Sequence, residues 1–396
     1  MDIVVRPGDS IWSYSQLFNI HIQLIKDSNR DLQTDHLTIG QTVKIPGYVI
    51  GEHKWQDGDS LWKISKTRNI PIYSLFLVNP GLTSNHFQSG ETIQVPLRVT
   101  WPIVQANRSY DYGEMMNDLS QLQTVYPFIR VPSIGHSVMG KSISEVLIGH
   151  GGKRVHYNAS FHANEWITTT VVMTFLNDYL LSITNGTMLF GCTAYPFYEQ
   201  CTLSIVPMVN PDGVNLVLNG PPADEPWRSQ VVELNEGSTD FSGWKANIRG
   251  VDLNDQFPAK WEEERANNPK KHGPRDYGGE RPLSEPEASA MAALTRKRDF
   301  SRVLAFHTQG KVIYWGFGEM EPPESSLIVK EFGRVSGYQP VQTIESYAGY
   351  KDWFIQEWRK PGFTIELGGG INPLPIKQFS QIYNESLGIF LAGLYT

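Results

Sequence analysis

The chain is short of cysteine, of long apolar runs and of segments carrying one sign of charge. Cys192 and Cys201 are the only cysteines in 396 residues. Two thiols make no disulfide framework, and their spacing reads as two reduced, buried thiols before it reads as a bridge across a short loop. No apolar run reaches the roughly 20 residues that a membrane-spanning helix needs, so no membrane span is expected. The formal charge is −7, with 34 basic and 41 acidic side chains mixed along the chain. Without a basic stripe or polybasic tail, nucleic acid is not expected as a partner. What is present is a globular composition, 40% apolar and 12% aromatic, which excludes general disorder.

The first hundred residues repeat with a period of 50. Gly8-Asp9-Ser10 matches Gly58-Asp59-Ser60, Trp12 matches Trp62, and Asn19-Ile20 matches Asn69-Ile70. Asn29, Leu32, Gly40, Thr42 and Pro46 match Asn79, Leu82, Gly90, Thr92 and Pro96. Each copy reads as a small β-α-α-β module. An extended piece leads into the Gly-Asp-Ser turn, and Ser10 or Ser60 caps a first helix. Leu24-Ile25 or Leu75-Phe76 lines a second helix, and Thr42–Pro46 or Thr92–Pro96 closes as a strand. The pattern resembles the LysM family, whose modules bind N-acetylglucosamine-containing glycans such as peptidoglycan. The resemblance implies glycan contacts at the turns Gly8, Asp9, Ser10, Gly58, Asp59 and Ser60. Trp12 and Trp62 are expected in the module cores.

The expected organisation is a first module over 2–47, a second over 50–97, a linker over 98–111 and a larger domain over 112–396. In that last part helical and extended segments alternate. Helices are expected at 113–126, 166–184, 285–297 and 378–395. Strands are expected at 142–149, 154–161, 202–209, 302–306, 312–317 and 362–367. Such alternation argues for an α/β fold with a mixed, mostly parallel sheet flanked by helices. Ser284-Glu285-Pro286-Glu287 reads as a capping box at a helix start.

A strand over 154–161 runs into His162-Ala163-Asn164-Glu165. An imidazole and a carboxylate three residues apart at a strand-to-helix turn suit a zinc ion, although His-x-x-Glu alone is weak. His307 ends a second apolar strand and Glu366 a third. In open α/β sheets the active site lies at the carboxyl ends of the strands, so these groups can meet in one cleft. There Glu366 is the candidate general base, beside the metal but not bound to it.

The ordered set His162–Glu165, Asn210-Pro211-Asp212-Gly213, Asp252-Leu253-Asn254, Ser284–Glu287, Phe306-His307 and Glu366-Leu367 resembles the zinc carboxypeptidase A family. Tyr126-Pro127 and Ile134-Gly135 with Ser137 and Gly140 match the start of that family's domain. The resemblance implies one zinc per chain held by His162, Glu165 and His307. It implies Glu366 as the base and Lys245 in the oxyanion-stabilising place, with Arg249 as an alternative. Two departures bear on the substrate. The family's Asn-Arg clamp for a terminal carboxylate is Asn254-Asp255 here, and an anion there suits a substrate amine unless Asp255 pairs internally with Arg249 or Lys260. The family's substrate-capping tyrosine falls at Ile355, so that role is missing or has moved to Tyr347 or Tyr350.

Chains joining LysM modules to such a domain resemble the bacterial γ-D-glutamyl-L-diamino acid endopeptidases. The expectation is therefore hydrolysis of peptidoglycan stem peptides before meso-diaminopimelate or L-lysine, with the glycan and the stem peptide as partners. A wall carboxypeptidase and a non-catalytic wall-binding protein are the alternatives. The first residues lack a basic region followed by an apolar one, so no standard secretory signal is expected. The expected location is the cytoplasm or the spore or cell wall.

Overall fold

The structure is a computed structural model that describes residues 1–32, 36–81, 87–342 and 345–396; Leu82 of the repeat lies outside them. The chain gathers into two units. One comprises Met1–Ile103, Leu119–Arg130 and Asn177–Met188; the other comprises Val104–Asp118, Val131–Leu176 and Leu189–Thr396.

In the first unit both repeats fold as β-α-α-β. Asp2–Val4 pairs antiparallel with Thr42–Lys44, and Tyr48–Lys54 with Thr92–Arg98. The helices are Ile11–Phe18, Ile22–Ser28, Leu61–Thr67 and Ile72–Val78. Ser10 and Ser60 cap as the sequence suggests, each accepting a hydrogen bond from the backbone three residues on. Gly8 and Gly58 hold φ near +85° and +83°, a conformation that glycine adopts without strain. The repeated asparagines do one job twice. Asn29 bonds the backbone of Ile25 and both backbone groups of Lys44. Asn79 does the same to Leu75 and Gln94, so each ties its helix to the closing strand.

Trp12 and Trp62 are not core residues, against expectation: each is 65% exposed. Once the cap fixes the helix start, Ile11 and Tyr14, or Leu61 and Ile64, face the core. The tryptophan after Ile11 or Leu61 is rotated by about 100° and faces solvent. The Asp and Ser side chains of the two turns are already engaged in the chain. Asp9 accepts from the Arg6 backbone and the Tyr14 hydroxyl, and Asp59 faces Gln56, His53 and Lys63.

The second unit is built on a seven-stranded sheet. In chain order its strands are β1 (Val146–Gly149), β2 (Lys153–Ala159), β3 (Cys201–Val206), β4 (Arg302–Thr308), β5 (Val312–Tyr314), β6 (Gln339–Val341) and β7 (Gly362–Leu367). Their order across the sheet is β6-β5-β7-β4-β2-β3-β1. The central four, β7, β4, β2 and β3, run parallel, while β1 and β5 run against their inner neighbours. This is the mixed, mostly parallel sheet that the alternation implied. Aromatic clusters fill both sides: Tyr157, Phe306 and Phe390 in one, Phe161, Phe257, Tyr350 and Trp353 in the other. Cys192 and Cys201 are both free thiols.

The capping box at residue 284 does not form. The helix Pro286–Arg298 starts after Glu285 without a side-chain cap. The Ser284 hydroxyl donates to Gln256, while the Glu287 carboxylate accepts from Val138 N–H. A buried loop amide competes for Glu287 and wins, because an unpaired buried N–H is costly.

Candidate metal centre and substrate cleft

Adjacent parallel strands β7, β4 and β2 end side by side, which delivers three chemistries to one edge. His307 and Glu366 stand at paired register positions on β4 and β7. Just past β2, His162 precedes a single 3-10 turn, Ala163–Glu165, whose start is held by the Ala163 N–H donating to Lys245 O. Through that turn Glu165 comes back toward His162.

The donor atoms of His162, Glu165 and His307 all lie within 4.8 Å of one another, and all three residues are buried. His162 Nδ1 is 2.9 Å from Glu165 Oε1, and His307 Nδ1 is 3.0 Å from Oε2. The two Nδ1 atoms are 3.2 Å apart. Two imidazole nitrogens and a carboxylate turned to one point are a zinc donor set, and three protein donors leave a coordination position open. The residues present therefore fit a catalytic zinc.

Around the donors sits a shell of orienting groups. Asp252 Oδ1 lies 3.3 Å from His162 Nε2, and its other oxygen is 2.8 Å from Lys245 Nζ. Thr308 N–H donates to Glu165 Oε2. The Asn372 amide reaches Glu165 Oε1 at 3.4 Å and is fixed by Thr308, whose carbonyl accepts from it and whose hydroxyl donates to it. A carboxylate behind a ligating imidazole orients the ring and raises its basicity. The Asp-Leu-Asn motif had marked Asp252 without giving it a role. Asn372 and Thr308 carried no sequence signal.

Charge follows from burial and these neighbours. Burial opposes charging His162, but Glu165 and Asp252 outweigh it and raise its pKa to about 9. Burial likewise opposes the Glu165 carboxylate, yet His162 and His307 hold it down at about 2. Burial and then the Glu165 charge push Glu366 up to about 8, an effect that a cation held by the three donors would oppose. The Glu366 carboxylate makes no hydrogen bond among the described residues. Burial disfavours the Lys245 ammonium, but Asp252 more than compensates and keeps it charged. Asp276 also holds it, at 3.1 Å.

Of the candidate substrate contacts, Asp255 is buried and takes a 3.1 Å hydrogen bond from Asn268. Its two suggested internal partners are engaged elsewhere, Arg249 with Glu285 and Lys260 with Glu263. Burial and then Asp252 push the Asp255 carboxyl well above the ordinary range. Asn254 is spent in part on the Tyr350 N–H. Tyr350, against expectation, is fully buried with its hydroxyl at Thr295, so it cannot cap a substrate. The helix Tyr350–Trp358 turns it inward with Trp353 and Phe354, and Ile355 is buried on the same helix. Tyr347 is half-buried under Lys260 Nζ at 4.8 Å.

The family model described as zinc carboxypeptidase matches residues 115–387, and the LysM domain model matches 3–46 and 56–96. The chain is 66% identical over 395 residues to gamma-D-glutamyl-L-diamino acid endopeptidase 1 of Lysinibacillus sphaericus, covering 100% of both chains. It is 39% identical over 399 residues to the uncharacterized protein YqgT of Bacillus subtilis (strain 168), covering 99% of this chain and 98% of that one. Among solved structures, bovine thrombin-activatable fibrinolysis inhibitor superposes with a TM-score of 0.58 at 18% identity, over 73% of this chain and 97% of that one. The carboxypeptidase A of Helicoverpa armigera gives 0.56 at 18%, over 84% and 80%. These two likenesses are of fold.

Proposed function

The chain belongs to the zinc carboxypeptidase family and carries two LysM domains, and we propose that it cuts peptidoglycan stem peptides between γ-D-glutamate and a diamino acid. The diamino acid is meso-diaminopimelate or L-lysine, and the LysM modules bind the glycan. The observation that carries this reading is Asp255. It is a buried carboxyl with a neutral hydrogen-bond donor and no side-chain salt bridge among the described residues, where carboxypeptidases keep a cation. A carboxyl held high by burial gains most from an incoming ammonium, which restores its charge. The full-length likeness to the Lysinibacillus enzyme supports the same bond.

In this reading His162, Glu165 and His307 hold one zinc per chain. Zinc, when bound, supplies Lewis acidity toward the scissile carbonyl. Glu366 draws the proton from the attacking water and returns it to the leaving amine. The Lys245 ammonium, held by two carboxylates, offers positive charge to the developing oxyanion. Asp255 takes the side-chain ammonium of the diamino acid, with Asn254 beside it, and Tyr347 closes over the substrate. A terminal carboxylate would meet Asp255 and be repelled, which disfavours a wall carboxypeptidase. On the glycan side Trp12 and Trp62 offer aromatic faces, and the turns at Gly8 and Gly58 offer backbone groups. On this reading the protein works at the cell or spore wall, or on wall fragments in the cytoplasm.

Mass spectrometry of products from defined muropeptides tests the proposal. The expected products split between D-glutamate and the diamino acid. Release of single C-terminal residues instead would overturn it.

A further inference from the structure

Beside the cleft the second unit has a cavity of about 450 Å³, lined by Trp227, Gln230, Glu233, Leu234, Arg249 and His272. That volume falls within the roughly 300–1,000 Å³ of small-molecule sites. We propose that this cavity is a sugar subsite, taking the N-acetylated amino sugar that carries the stem peptide. The proposal rests on the reading of the substrate above and extends it to the acyl side of the bond.

The first support is the chemistry of the walls. Trp227, on the helix Trp227–Leu234, is partly exposed and sits with Leu234, which gives an apolar platform. Gln230 and Glu233 lie on the same helix and make no side-chain hydrogen bond among the described residues. Opposite, His272 spends Nδ1–H on the Arg249 carbonyl at 2.7 Å, leaving Nε2 free to bond. The Arg249 side chain is 45% exposed and makes one long contact, 3.5 Å, to Glu285. An aromatic face ringed by unspent donors and acceptors of both kinds matches a pyranose, which has an apolar C–H face and a hydroxyl edge. The Glu233 carboxylate makes a phosphate a poor fit.

The second support is position. The backbone from Lys245 to Gly250 is laced to residues 272–276. Lys245 and Ala246 N–H both donate to Pro274 O, and Gly273 N–H donates to Gly250 O. Lys245 at one end faces Asp252, and Arg249 at the other lines the cavity. Four residues of chain reach at most about 14 Å. Between the scissile bond and the sugar, the substrate carries two residues, one of them γ-linked, and a lactyl bridge. That is roughly 10–14 Å when extended, a reach that matches the span from Lys245 to the cavity wall.

Two measurements on the full-length zinc enzyme test the subsite. In the first, KM is compared for a disaccharide-bearing stem peptide and the same peptide without sugar. The sugar should lower KM by about tenfold, and Trp227→Ala or Gln230→Ala should remove that advantage while leaving the sugar-free peptide unchanged. Gln230 is exposed on its helix, so its variant stands even if Trp227→Ala folds poorly. In the second, N-acetylmuramyl-L-alanyl-D-glutamate, which has no scissile bond, is titrated while the His272 imidazole is followed by NMR. A saturable shift that Gln230→Ala weakens supports the subsite, even if the bond assigned above proves wrong. Equal KM values for the two peptides, or no shift of His272, would overturn it.

Discussion

At the scale of single residues, the proposed roles divide metal binding from proton transfer. His307 lies on β4 with its Nδ1 toward Glu165, whereas Glu366 makes no hydrogen bond or ion pair to either imidazole among the described residues. His307→Ala should therefore lose most bound zinc together with hydrolysis. Glu366→Gln should keep about one zinc per chain while kcat falls by roughly 10²–10⁴-fold, the weight of a general base. Metal analysis beside the assay checks both, and zinc loss in Glu366→Gln would make it a ligand. Asp255 gives a second, sharper outcome. Asp255→Asn should reduce kcat/KM before lysine or diaminopimelate far more than before alanine, since a half-made buried ion pair costs about 2–5 kcal/mol. An unchanged ratio with a lower Tm would leave Asp255 a purely structural acid.

At the scale of elements, the helix Pro286–Arg298 shows how a local rule yields to packing. Ser-x-x-Glu is a sound capping signal, but Glu287 turns to the Val138 amide and approaches Asn247. Burial outweighs that hydrogen bond, and Asp212 and Glu285 add to it, so the Glu287 pKa rises to about 7 from an ordinary 4.5. The folded state then holds this proton more tightly than the unfolded one. Its contribution is fully present below pH 4.5 and is lost as pH rises through 7. Glu287→Gln, which keeps an oxygen for Val138, should flatten the fall of Tm between pH 5 and 8, a difference on the order of 3 kcal/mol. A parallel pair of Tm curves would rule that out. The module helices show the reverse case, in which local rules hold. Ser10 and Ser60 cap as expected, and the exposure of Trp12 and Trp62 follows from the helix start. Replacing both tryptophans by alanine should weaken binding to purified sacculi without lowering Tm, and unchanged binding would leave the contacts to the turns alone.

At the scale of the whole molecule, the first unit draws on segments far along the chain. Gly47 N–H donates to Val125 O, the Arg30 guanidinium to Phe128 O, and Arg98 to Thr184 O. A chain starting near Trp101 should therefore lose more than its affinity for sacculi. It should also melt at a lower temperature, because those carbonyls and the apolar surface at Val125 lose their cover. Pull-down on sacculi and a melting curve check the two effects separately, and an unchanged Tm would show the long-range hydrogen bonds to be dispensable.

The sequence by itself determined the two modules, the α/β class, and the order of the candidate metal-binding and base residues. Each rests on patterns local in the chain: a 50-residue period, apolar runs of strand length, and polar groups directly after them. Only the tertiary structure decided that Asp252 backs His162, that Asn372 and Thr308 steady Glu165, and that Tyr350 belongs to the core. It also took Arg249 and Lys260 away from Asp255 and gave them to Glu285 and Glu263. The physical reason is the same in each case. A strand end or a helix cap is set by neighbours in sequence, whereas the partner of a buried polar group is whichever distant group the packing brings within 3 to 4 Å.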